Sequence, residues 1–303
     1  MRICYIEKRF KPASMELIWQ ANEIIEEYQA AGYDLTLRQL YYQFVSRDLI
    51  PNTDRSYKRL GSVVNDGRLA GEIDWDVMVD RTRNLRSHSH WETPGDIIDS
   101  AARSYAVDMW KNQSYRPEVW IEKDALLGVI EGVCTDNDVP FFSCRGYTSQ
   151  SEMWRAARRF RRYSQEGHVP VVIHLGDHDP SGMDMSRDIL DRIRCTFGVN
   201  IDFERIALNM NQIDQYDPPP NPAKITDSRA KRYMLKYGNE SWELDALEPQ
   251  VMGRLITEQL DILRNQEQWD DDSRKAENER AELIHIAANW GAVIEKFGLD
   301  SDE

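Results

Sequence analysis

The chain has 303 residues and a net charge of −14, from 38 Lys and Arg against 52 Asp and Glu. Its four cysteines are scattered with no C-x-x-C, which argues against a zinc site or a disulfide framework and for a reducing cytoplasm. No run of about 18 apolar residues occurs and the first residues lack a signal-peptide pattern, so the expectation is a cytoplasmic protein without membrane contact.

The first predicted element is a helix over residues 14–31, capped by Ser14, with Leu17, Ile18, Ala21, Ile24, Ile25 and Tyr28 on one face and Gly32 ending it. Thr36 caps a second helix in which Leu37, Leu40, Tyr41 and Phe44 share a stripe. At about 100° per residue Tyr42 falls outside that stripe, which predicts an exposed phenol, and Arg38 stands one helical turn before it. Such a pair suits attack on a phosphate, because the cation lowers the cost of the phenolate and can hold phosphate oxygens. The same pair is also an ordinary Tyr lying over an Arg. Residues 51–69 read as a helix capped near Thr53 or Asp54 and carrying Arg55, Lys58, Arg59 and Arg68. A hairpin is predicted over 71–79, with Arg81, Arg83 and Arg86 after it. Helix, turn, basic helix and hairpin outline a winged helix, with the second helix offered to a DNA groove.

Residues 87–116 read as a linker, in which His88 and His90 are either metal ligands or simply solvated, followed by an amphipathic helix. Glu118-Val-Trp-Ile-Glu-Lys123 is a short apolar run ending in an acid, and 124–131 has a helical pattern. A strand over 139–144 and a helix over 149–163 come next. Residues 145–162 hold six arginines (145, 155, 158, 159, 161, 162) against one acid, Glu152. This basic stripe is compatible with DNA and equally with a solvated helix face.

Residues 171–175 are branched and apolar, as a buried strand requires, and the strand stops at Gly176. Asp177 and Asp179 then lie just past its carboxyl end, two residues apart and able to point the same way. Ligands of open α/β sheets bind at that edge. Two close carboxylates repel unless a cation sits between them or one takes a proton, and Mg2+ is the simplest resolution. The alternative is a turn in which both Asp side chains cap backbone N–H groups. Glu122 occupies the equivalent place on its own strand. The order strand, helix, strand, helix, strand predicts a parallel, doubly wound sheet and an α/β fold class.

One more strand is predicted over 203–208, then an irregular stretch over 215–222 with four prolines, then a helix opened by Lys224, Asp227 and Arg229. Glu243 and Asp245 read either as helix-start acids or as groups that orient the metal ligands. Residues 251–297 are expected to form two charged helices with narrow apolar stripes, suited to packing on the domain or on a second copy of the chain. The negative charge concentrates there: residues 240–303 hold 17 acids and 6 bases, which leaves the rest of the chain at −3.

Glu122-Lys123, Arg145-Gly146-Tyr147 and Gly176-Asp-His-Asp-Pro-Ser-Gly182, in this order, resemble a Toprim domain. Within that superfamily the chain is most similar to the A subunit of DNA topoisomerase VI and its relative, the meiotic double-strand-break protein. Thr36, Arg38, Tyr41 and Tyr42 fit the family's T-x-R-[acidic]-x-[aromatic]-Tyr pattern, with Tyr42 in the nucleophile's place. The resemblance covers about residues 34–250. It implies a winged-helix domain over 1–112, then a Toprim domain over 113–303 with a C-terminal helical extension. It further implies Mg2+ held by Glu122, Asp177 and Asp179, attack on double-stranded DNA by Tyr42, and charge stabilisation by Arg38. DNA contacts are expected from Arg55, Lys58, Arg59, Arg68 and Arg145. The family's active site forms between two protomers, which implies a homodimer, and its topoisomerases need an ATPase B-type subunit. The sequence departs from the family at His178, where a small residue is usual, at Gln39, where an acid is common, and at Cys144-Arg145-Gly146, a loose echo of Gly-Lys-Gly. The rival readings are a Toprim nuclease using metal-activated water and a DNA-binding protein without turnover.

Overall fold

A computed structural model describes residues 2–33, 35–77, 88–223 and 226–297. The first three helices are α1 (Pro12–Ala30), α2 (Leu37–Ser46) and α3 (Asp54–Leu69). Pro12 at the first helical position starts α1, since its fixed φ suits a helix and its missing N–H costs nothing there. Ser14 is therefore inside the helix and caps nothing. The predicted apolar face, Leu17 to Tyr28, is buried residue for residue. Thr36 caps α2 in a full capping box: its side chain accepts from Gln39 N–H, and Gln39 Oε1 accepts from Thr36 N–H at 2.8 Å. Gln39 thus does the work an acid would do at that position. Thr53 caps α3. These helices enclose one core built from Ile18, Leu40, Phe44, Leu60 and Ile73. The predicted hairpin is not seen in its described part: residues 71–77 form turns, and Ala70 makes an isolated antiparallel bridge to Cys4. Residues 78–79, Arg81, Arg83 and Arg86 lie outside the described residues, as does Lys224.

Next come α4 (Pro94–Ser104), β1 (Tyr115–Ile121), α5 (Leu127–Asp136), β2 (Phe141–Ser143), α6 (Gln150–Gln165), β3 (Val169–Leu175), α7 (Pro180–Asp191) and β4 (Asp202–Ala207). The four strands form a parallel sheet in the order β2-β1-β3-β4. Alternation along the strands sorts their side chains. Val119, Ile121, Val171, Ile173 and Leu175 face one way, into a core shared with α5. Trp120 and Val172 face the other way, against Met153 and Phe160 of α6 and Ile189 of α7. Helices thus cover both faces, as the strand–helix alternation predicts. The winding reverses between β1 and β3, so the connections leaving their carboxyl ends diverge and open a crevice.

The remaining elements are α8 (Met210–Tyr216), β5 (Asn221–Pro222), α9 (Ala230–Tyr237), β6 (Glu240–Ser241), α10 (Pro249–Leu263), α11 (Gln266–Ala288) and α12 (Trp290–Phe297). Among the described residues three helices, not two, run from Pro249 to Phe297. The first packs on the domain through its apolar stripe, as expected: Val251, Met252, Ile256 and Leu260 of α10 complete the core on the α5 side of the sheet. The second, α11, is anchored by the Trp110–Trp269 ring contact and by paired hydrogen bonds between Gln113 and Asn265. Among the described residues no helix is long and apolar enough to cross a membrane.

Candidate active site

Glu122, Asp177 and Asp179 line one cavity of ≈ 650 Å³ at the β1/β3 crevice. Glu122 leaves β1 hydrogen-bonded through its backbone N–H to Leu175 O at 2.9 Å, and its Oε2 accepts from Asp177 N–H at 2.8 Å. Asp177 Oδ1 accepts from Leu244 N–H at 2.8 Å. Asp179 caps α7, accepting from Gly182 N–H at 2.6 Å. Both aspartates therefore cap backbone groups, as the second reading of this turn expects, and both also line the cavity. A Cβ at Gly182 would stand 2.3 Å from Asp177 O, and one at Gly176 3.0 Å from Glu122 Oε2. The glycines of the G-D-H-D-P-S-G run are required by this close approach of loop, helix and acid.

His178 turns the opposite way from its neighbours, as alternation in an extended segment demands. Its backbone pairs with Trp242 in both directions, at 2.8 and 2.9 Å. Its ring sits among Tyr233, Tyr237 and Trp242, with Nδ1 2.7 Å from Tyr233 Oη. Burial depresses it to about 4, so it is neutral. A bulky residue fits between the aspartates because this aromatic box receives it away from the acids.

The acids are held far from their ordinary behaviour. Burial, then the neighbouring Asp177, raise Glu122 to about 7. Burial raises Asp177 to about 6 against the pull of Lys123. Glu243 goes the other way: although burial opposes it, Lys123 and Arg38 hold it down at about 2.

Two features of this site were not assigned from sequence. Lys123 Nζ lies 3.0 Å from Asp177 Oδ2, 2.8 Å from Glu243 Oε2 and 2.5 Å from Asp245 Oδ2. Glu243 and Asp245 stand at the start of a 3-10 turn over Leu244–Ala246, as helix-start acids do, and through Lys123 they also join the cluster. Arg205 is the second feature. From β4 it donates to the carbonyls of Gly176 at 2.8 Å and Asp177 at 2.6 Å and to Ser186 Oγ at 2.6 Å. A lone cation inside the apolar run Phe203-Glu-Arg-Ile-Ala-Leu208 was its mark. It clamps the acid-bearing loop from beneath.

Arg38 and Tyr42 do share a face, with the guanidinium 5.8 Å from the ring centre. Tyr42 is not exposed, however. It is 3 % accessible, because the segment carrying Asn221 and Glu243 covers that side of α2. Its hydroxyl accepts from Asn221 Nδ2 at 3.4 Å, and burial pushes the phenol up to about 12. Arg38 is drawn to Glu243 of its own chain and sits 3.7 Å from Asp245. Asn221 and Arg38 both line the acid cavity, so the phenol stands at its margin.

Of the expected DNA contacts, Arg55, Lys58 and Arg59 are exposed on α3. Arg68 instead donates to Trp75 O at 2.7 Å and stacks on that ring. Arg145 stands on the cavity rim, 3.0 Å from Asp124. The arginines of α6 line a separate cleft of ≈ 550 Å³, although Arg159 is tied at 2.9 Å to the buried Glu118. His88 and His90 are exposed.

Among the described residues no three His, Cys, Asp or Glu side chains already form a metal cage; the Lys123 ammonium holds the centre of one group of carboxylates. The donor set nonetheless suits a hard divalent cation. It consists of oxygens only, two of its acids are destabilised as anions, and Asp245 Oδ1 is buried with no hydrogen-bond partner. Compared with known proteins, the chain matches no family model and no curated protein.

Proposed function

We propose that this chain cleaves DNA strands at a divalent-metal site, as a winged-helix and Toprim protein of the topoisomerase VI A type. The observation that carries this reading is the meeting of Glu122, Asp177 and Asp179 in one crevice at the carboxyl edge of the sheet. These residues would hold Mg2+, which when bound offsets negative charge on a phosphodiester. Tyr42 Oη forms the new bond to phosphorus, the bond from phosphorus to the sugar oxygen breaks, and the phenolic proton passes to that departing oxygen. The products are a phosphotyrosyl link and a free sugar hydroxyl. Arg38, beside the ring, faces the charge that develops on the phosphate. Arg55, Lys58, Arg59 and Arg145 offer positive charge to the duplex backbone. A second copy of the chain and an ATPase subunit supplied in trans belong to the same reading.

Hydrolysis by water at the same acids is the second reading, and the burial of Tyr42 favours it. The two part on one experiment: supercoiled DNA and Mg2+ with wild type, Tyr42→Phe and Asp177→Asn. Strand transfer gives a covalent protein–DNA adduct that both substitutions abolish. Cleavage that survives Tyr42→Phe and is lost in Asp177→Asn identifies a nuclease. DNA binding with no cleavage by wild type, with or without an added ATPase subunit, overturns both.

A further inference from the structure

Two cations in one acidic crevice cannot be neighbours unless carboxylates stand between them, and here one cation is built into the chain. The Lys123 ammonium is surrounded by Asp177 Oδ2, Glu243 Oε2 and Asp245 Oδ2 at 2.5–3.0 Å. Three carboxylates around one centre use all three N–H donors of the ammonium and form a charge environment of the kind that holds a divalent ion. Asp245 is 2 % accessible and its Oδ1 has no partner, so the ammonium leaves buried acceptor capacity unused. Asp177 is common to both groups: its Oδ2 meets Lys123, and it shares its cavity with Glu122 and Asp179.

The charge balance agrees. With all five ionised, Glu122, Asp177, Asp179, Glu243 and Asp245 face Arg38, Lys123 and Arg205, a shortfall of two positive charges that one divalent ion makes good. Asp124 and Arg145 on the rim cancel each other.

From this geometry we infer that Lys123 occupies the place of a second metal ion, so that the site takes one divalent cation, and that removing the lysine opens a second cation site formed by Asp177, Glu243 and Asp245. The inference rests on the metal reading above and adds to it the number of ions and the residue that sets it. Phosphodiester-cleaving sites of the two-metal kind place their ions about 3.5–4 Å apart across a shared carboxylate; here the chain's own ammonium stands across Asp177 from the position left for an ion.

The test counts Mn2+ bound to the full chain, by equilibrium titration and by electron paramagnetic resonance. Wild type is expected to bind one tight ion with an isolated six-line spectrum. Lys123→Ala is expected to bind two, with the broadened spectrum of a spin-coupled pair, and Lys123→Ala with Asp245→Asn returns the count to one. Because Lys123→Ala leaves buried acids unpaired, it is also unfolded with and without Mn2+ and followed by circular dichroism. Its midpoint should rise with Mn2+ more than that of wild type does. Two coupled ions in wild type, or one ion in a folded Lys123→Ala, overturn the inference. A Lys123→Ala protein that fails to fold even in Mn2+ overturns it as well, because the ion should replace the ammonium. No bound ion in wild type overturns the metal reading itself, and this one with it.

Discussion

At the scale of single residues, the acids differ in what titration does to them. Glu122 and Asp177 have folded-state values raised above the ordinary 4.5 and 3.8, to about 7 and about 6. An acid that holds its proton more tightly when folded favours the folded state at low pH, and that advantage is lost as pH rises through the folded value. For Glu122 the shift is equivalent to about 3 kcal/mol at most. In EDTA the thermal midpoint should therefore fall between about pH 4 and pH 7, less steeply in Glu122→Gln, and saturating Mg2+ should flatten the wild-type slope. A wild-type slope no steeper than that of Glu122→Gln would refute this account. Glu243, held at about 2, acts in the opposite sense: its contribution is present above the ordinary 4.5 and is lost only in strong acid. Much of this was legible in the sequence, because an acid ending a strand and a D-x-D after another must meet wherever the strands pair. What could not be read was Tyr42. Its helical angle places it outside the stripe of α2, and only the distant segment around Asn221 and Glu243 covers it.

At the scale of elements, the junction of β3 and α7 sets the site. Asp179 serves both as helix cap and as cavity acid, and substitution separates the roles. Asp179→Asn keeps an acceptor for Gly182 N–H and should cost only a few tenths of a kcal/mol in denaturant unfolding, whereas Asp179→Ala should cost about 1 kcal/mol. Both should lose divalent-ion affinity; equal stability of the two variants would mean that the cap contributes nothing. Gly182→Ala drives a methyl into Asp177 O and should cost roughly 2–3 kcal/mol, with loss of ion binding alongside. The strands and helices of the sheet were legible because apolar runs of about five residues alternate with longer amphipathic stretches. The apolar stripe of α10 was legible as well, but not what it covers: only the bare α5 face of the sheet makes Val251, Met252, Ile256 and Leu260 part of its core. The hairpin over 71–79 fails in its described part for a related reason: Trp75 is taken up by Arg68 and by Ile3 O at 3.3 Å, not by a partner strand.

At the scale of the whole molecule, the segment from Trp242 to Leu247 belongs to everything at once. Trp242, Leu244 and Leu247 lie in the sheet's core, Ala246 in the core of α1–α3, and Glu243 and Asp245 in the cavity between them. Arg38 crosses the same boundary from α2, and Asn52 crosses it to Asn221 at 2.8 Å. Arg38→Ala should therefore lower stability by about 1–3 kcal/mol, the cost of leaving a buried acid short of a partner, and weaken both units together in any local probe. A ribbon that closes two hydrophobic interiors leaves neither able to melt first. Calorimetry should record a single heat-absorption peak whose van't Hoff and calorimetric enthalpies agree, and two resolved peaks would mean that the halves are merely neighbours.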